Sequence, residues 1–145
     1  MKTAILLLIL GGSLYNCSAA TYVVDNTAGT DDLLAYTLSD GTNTLRKCIR
    51  LANASAGVAD SIRFNIPGAG PHTITPTVGG LGALPALTDN AGAVIDGYSQ
   101  PGAMPNTSVS GALNGTLKII VSAVAPLAAT PCFRMNSTNN VIRGI

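Results

Sequence analysis

The spacing of apolar and polar positions changes character within Asn43–Pro67. Leu45, Cys48, Ile49 and Ala52 recur at i, i+3, i+4 and i+7, one face of a helix, while Arg46, Lys47 and Arg50 point elsewhere. Asn43 or Thr44 can cap the first turn by accepting from its unpaired amides, and Gly57 supplies a stop. The helix expected over 43–53 is too short to hold together alone in water, so it needs a partner surface. At Ser61 the period becomes two. Ile62, Phe64 and Ile66 take one side and Arg63 and Asn65 the other, until Pro67-Gly68-Ala69-Gly70-Pro71 ends the strand.

No second helix follows. A short strand is expected at Tyr22–Val24, ahead of the helix. After Ser61–Ile66, the segment His72–Val78 alternates Thr73, Thr75 and Thr77 against Ile74 and Val78, with Pro76 restricting it to an edge. Leu81, Leu84 and Leu87 pin a loop over Gly79–Asn90, and the strand Ala93–Ile95 runs into the turn Asp96-Gly97. A long loop at Tyr98–Gly115 precedes strands at Thr116–Ser122, Cys132–Met135 and Val141–Ile145. The corners are rich in Asn and Gly and lack two-residue hairpin turns. That favours an all-β solenoid of parallel strands, each coil burying its apolar face on the next, with a β-sandwich as the alternative.

The length of 145 residues suits one domain. Its first 20 residues read as a secretory signal peptide: Met1-Lys2-Thr3, the apolar run Ala4–Leu10, and small residues Ser18-Ala19-Ala20 before Thr21. Such a segment is too short to span a membrane as a mature helix. Leu14-Tyr15-Asn16-Cys17 has the spacing of a lipidation box, but Asn16 stands where a small residue belongs. The expectation is a secreted or cell-surface protein without a transmembrane anchor. Cleavage removes Lys2 and leaves seven basic residues against seven aspartates, with no glutamate anywhere. A neutral chain with 10% charged residues offers no footprint for nucleic acid or anionic lipid.

Candidate chemistry is sparse. Cys48 and Cys132 remain after cleavage, and two readings stay open: a disulfide tying the helix to the last strands, or two small buried apolar residues. His72 is the sole histidine, so neither a metal site nor a cofactor is expected. Asp25, Asp31, Asp32 and Asp40 lack the spacing of a calcium loop and read as solvated carboxylates. Asp60, Asp89 and Asp96 are scattered singly, and Asp96 before Gly97 is a turn residue. Lys118, Arg134 and Arg143 fall on expected strands, where either a groove or ordinary outward positions account for them. Beyond the expected leader, four sequons, at Asn53, Asn106, Asn114 and Asn136, accept glycans only in a host that glycosylates exported proteins.

Taken in order, Asn43–Asn53 with Gly57, Asp60–Phe64 and Ile66-Pro67-Gly68 resemble the N-terminal cap of right-handed parallel β-helix proteins of the pectin-lyase-like kind. The similarity continues through Leu84–Thr88, Ile95–Gly102, Leu117–Ile119 and Asn139–Gly144. Cys48 departs from the small or acidic residue common there, and Gly79-Gly80 is an insertion. The resemblance implies a cap over 21–60 and the first coils of a truncated β-helix over 61–145, part of a longer protein. It implies an exported noncatalytic module, structural, adhesive or glycan-binding, with a polysaccharide or cell-surface protein as partner. The alternative is the N-terminal part of a polysaccharide lyase or glycoside hydrolase. Such enzymes need an arginine or lysine base beside calcium-binding carboxylates, or paired carboxylates, and no such constellation is visible.

Overall fold

The computed structural model describes residues 18–29, 43–55, 57–76, 83–122 and 131–145. Most of the expected leader with Cys17, the aspartates Asp31, Asp32 and Asp40, and Thr77–Gly82 lie outside the described residues. Along the chain come β1 (Thr21–Val24), α1 (Leu45–Ala54), β2 (Asp60–Phe64), β3 (His72–Ile74), β4 (Ala93–Asp96), a 3₁₀ turn (Gly97–Ser99), β5 (Ile119–Val121) and β6 (Val141–Arg143). Every pairing between these strands is parallel. β1, β2, β4 and β6 lie side by side in that order, and β3 pairs with β5 in a second, two-stranded sheet.

The all-β parallel β-helix expected from the sequence gives way to a mixed α/β fold of parallel sheets with one helix. The physical reason lies in α1. It links the adjacent parallel strands β1 and β2 and packs on both, so the three elements form a β-α-β unit in which the helix is the crossover rather than a lid. Leu45, Cys48, Ile49 and Ala52 are buried as the spacing predicts, and they share one core with Val24, Ile62, Phe64 and Ile95 from the larger sheet and Ile74 and Ile119 from the smaller. Strand content is also lower than expected. Cys132–Met135 contributes only a bridge between Leu87 and Met135, and Thr116–Ser122 shortens to β5.

Thr44 is the residue that caps α1, accepting from the Lys47 amide at 3.1 Å. The helix differs from expectation on its polar side. Arg46 and Lys47 are buried, at 2% and 3% exposure. The Arg46 guanidinium donates through Nε to Gly29 O (3.0 Å), through Nη1 to Ala83 O (2.8 Å) and through Nη2 to Pro76 O (2.5 Å). At the other end of α1, Asn53 donates to Ala86 O (2.7 Å) and accepts from Thr88 N (2.9 Å). Both residues bind the helix to backbone outside the named strands.

Candidate functional site: an arginine–aspartate–arginine row on the outward sheet face

Alternation along each strand sets which residues of the larger sheet face outward, although Asp96 in that set is only 8% exposed. Tyr22, Ile62, Ile95 and Ile142 occupy one inward register row. One residue further along, Val23, Arg63, Asp96 and Arg143 form the next, outward row on β1, β2, β4 and β6. A carboxylate thus stands between two arginines on neighbouring strands, whose main chains are about 5 Å apart.

The row is not symmetrical. Asp96 Oδ2 accepts from Arg143 Nη2 at 2.8 Å, and Asp96 Oδ1 accepts from Tyr98 N at 3.2 Å as the cap of the 3₁₀ turn. The hydrogen bond from Arg143 is the main cause holding the Asp96 carboxyl below the usual carboxylate range; the charge of Arg63 adds to it. Arg63 itself is exposed and makes no ion pair among the described residues. Both oxygens of the row's only carboxylate are therefore committed away from it.

The 3₁₀ turn builds the neighbouring wall. Beyond Arg63, β2 loses its pairing with β4, and two side chains take over the role of strand. Ser99 Oγ accepts from Phe64 N at 2.7 Å, while Gln100 accepts from Ile66 N (2.9 Å) and donates to Ile66 O (2.8 Å). The result is a groove of about 330 Å³ lined by Val23, Arg63, Phe64, Asn65 and Ser99. Tyr98 of the same turn, with Asn106, Leu113, Gly115 and Leu117, lines a second, more apolar hollow of about 270 Å³.

The other candidate residues are dispersed. Cys48 is buried and Cys132 half-buried; both carry free thiols, so the disulfide considered between them is not formed. Burial pushes the Cys48 thiol up to about 12. Lys118 donates to Ala69 O beside β5, Arg134 precedes the Met135 bridge, and Arg143 sits on β6, so the three bases occupy separate elements. Asp60 accepts from Ala20 N (2.7 Å) and from Ser55 Oγ, Asp89 accepts from Gly57 N and Ala91 N, and Asp25 holds Asn43. Among the described residues no three His, Cys, Asp or Glu gather into a metal-binding group, and no helix is long and apolar enough to cross a membrane. Of the sequon asparagines, Asn53, Asn106 and Asn114 each have both ends of the amide engaged.

Arg63 was assigned by sequence only to the polar side of a strand. The available signal was the recurrence of Ile62-Arg63, Ile95-Asp96 and Ile142-Arg143, three dipeptides that parallel pairing brings into one register. Comparison with protein-family models, curated proteins and solved structures finds no match for this chain.

Proposed function

We propose that the chain is a noncatalytic module of an exported protein that binds an acidic polysaccharide on the outward face of the four-stranded sheet. The observation that carries this reading is the uncommitted Arg63 guanidinium beside its groove. A planar guanidinium suits a carboxylate, which it can grip with two parallel N–H···O bonds. Val23 offers a partly exposed apolar contact in the same groove, and the Asn65 side chain is exposed beside it. Export rests on the leader-like pattern of the first 20 residues.

The test is affinity electrophoresis and titration calorimetry against polygalacturonate, with a neutral glucan as control. Retardation by the acidic polymer should weaken about tenfold in Arg63→Ala and fall with added salt, as screening requires. Equal retardation by both polymers, or an unaffected Arg63→Ala variant, sinks the proposal. Release of unsaturated sugar products in the same mixture would replace it with a lyase.

A further inference from the structure

We infer that maturation cuts the chain between Ala19 and Ala20, and that the new α-ammonium of Ala20 forms an ion pair with the buried carboxylate of Asp60. The inference rests on the export reading above and places the cut one residue before the boundary at Thr21 expected from the sequence. Hydrolysis adds one water across the Ala19–Ala20 peptide bond. The water oxygen ends on Ala19, as a carboxylate that departs with the leader. Both water protons end on the Ala20 nitrogen, which becomes an ammonium.

Asp60 is 1% exposed at the start of β2, and its oxygens accept from Ser55 Oγ and, at 2.7 Å, from Ala20 N. Neither donor is charged while the chain runs on through Ala19, and a buried carboxylate without a countercharge is costly. No basic side chain among the described residues pairs with Asp60, and the one base outside them, Lys2, lies in the expected leader. The same sheet supplies a comparison. Asn140, one residue ahead of the Val94–Val141 pair, does for β6 what Asp60 does for β2: its Oδ1 accepts from Ala93 N at 3.0 Å. Ala93 lies inside the chain, so its amide is neutral, and the acceptor is neutral too. Where the donor is Ala20, at the border of the leader, the acceptor is an aspartate. A charged acceptor matches a charged donor, and only a cut at the Ala20 nitrogen creates one there.

Neighbouring bonds select this cut over those beside it. Ala20 O accepts from Ser61 N at 2.9 Å and Ala20 packs against the core, whereas Ser18 and Ala19 are exposed. Cleavage after Ala20 would leave the Ser61 amide without that acceptor and Asp60 without its main-chain donor. Cleavage before Ala19 or Ser18 would keep both bonds but leave Ala20 N a neutral amide. A cut after Ala19 also places small residues, Ala19 and Cys17, at the last and third-last positions of the leader.

The test expresses the full chain, leader included, in a secreting bacterium and reads the exported product by intact mass and N-terminal sequencing. A product beginning at Ala20 is expected. One beginning at Ser18, Ala19 or Thr21, or at a lipid-bearing Cys17, overturns the inference and leaves export standing; a cytoplasmic product with its leader intact overturns both. The ion pair is tested by comparing the processed chain with one beginning at Ser18, in which the charge sits two residues away. The Ala20 start should melt roughly 5–10 °C higher, the advantage of a charged over a neutral hydrogen bond. With Asp60→Asn in both chains that advantage should vanish. Equal melting of the two starts in the Asp60 protein, or an advantage that survives Asp60→Asn, overturns the inference. The first comparison needs no substitution, so it decides the matter even where Asp60→Asn folds poorly. Polysaccharide binding through Arg63 stands or falls independently of each result.

Discussion

Replacing Arg46 by methionine removes a cation that the fold has wrapped in backbone carbonyls, and it should be among the most damaging substitutions on α1. Three loops, at Gly29, Pro76 and Ala83, each give a carbonyl to the one guanidinium. A hydrogen bond to a charged donor is worth about 1.5–3 kcal/mol, so three sum to roughly 5–9 kcal/mol before relaxation. Methionine fills most of the space, and the loops can shift to let water reach some of the freed oxygens. The net loss is then about 3–5 kcal/mol, much of the ~5–15 kcal/mol that holds a typical domain together. Lysine retains charge but has no planar fork to address three carbonyls lying in different directions. Its loss should be about 2 kcal/mol.

The assay is urea and thermal unfolding followed by far-ultraviolet circular dichroism at neutral pH. Arg46→Met should lower the melting temperature by roughly 10–20 °C, and Arg46→Lys by less. An Arg46→Met protein within about 1 kcal/mol of the parent would refute the reasoning. It would mean that the three loops are held by their own backbone and apolar contacts, with the arginine merely accommodated.

Other consequences follow from single side chains. Gln100→Leu should cost about 2–3 kcal/mol in the same unfolding assay, since Ile66 N and O then lose a buried partner that leucine cannot replace. Asp96 has its folded-state pKa depressed chiefly by the Arg143 hydrogen bond, so the stability it adds is complete above its unfolded value near pH 4 and is lost as pH falls through the lower folded value. Asp96→Asn should therefore flatten the acid limb of a stability–pH curve below about pH 4 and leave the shape between neutral and mildly basic pH unchanged. In native protein at pH 8 a maleimide should label the half-buried Cys132, whereas the buried Cys48, with its thiol raised to about 12, should react only after unfolding; mass spectrometry of the digested protein reads both.

Local pattern was legible where a side chain's environment follows from its own neighbours. The spacing of Leu45, Cys48, Ile49 and Ala52 located the buried face of α1, and the alternation of Ile62, Phe64 and Ile66 located the buried face around β2. Proline and glycine marked the end of β2 at Pro67. Fold class was not legible, because a three-turn helix has the same sequence signature as a lid or as a crossover. What decides between them is the parallel pairing of β1 with β2, strands about forty residues apart, and no local periodicity encodes that. Arg46 was misplaced for a related reason. Helical spacing assigns it to the polar side, but that side is itself roofed by loops whose carbonyls accept from the guanidinium.

Much of the polar sequence is spent substituting for backbone, and this explains why the candidate site is so small. Asp60, Asn140, Ser99 and Gln100 each complete a hydrogen bond that a neighbouring strand would otherwise supply, and Asn53 does so for the segment after Leu84. These residues look in sequence like the loose surface polarity of turns, yet their donors and acceptors are taken. With few charged residues in the chain, the groups left with unspent hydrogen-bonding capacity on the larger sheet are those in its outward row. Asp96 is committed to Arg143 and to the turn. A ligand approaching that face therefore meets a guanidinium rather than a carboxylate, and selection for an anion follows from how the fold consumes its other polar groups.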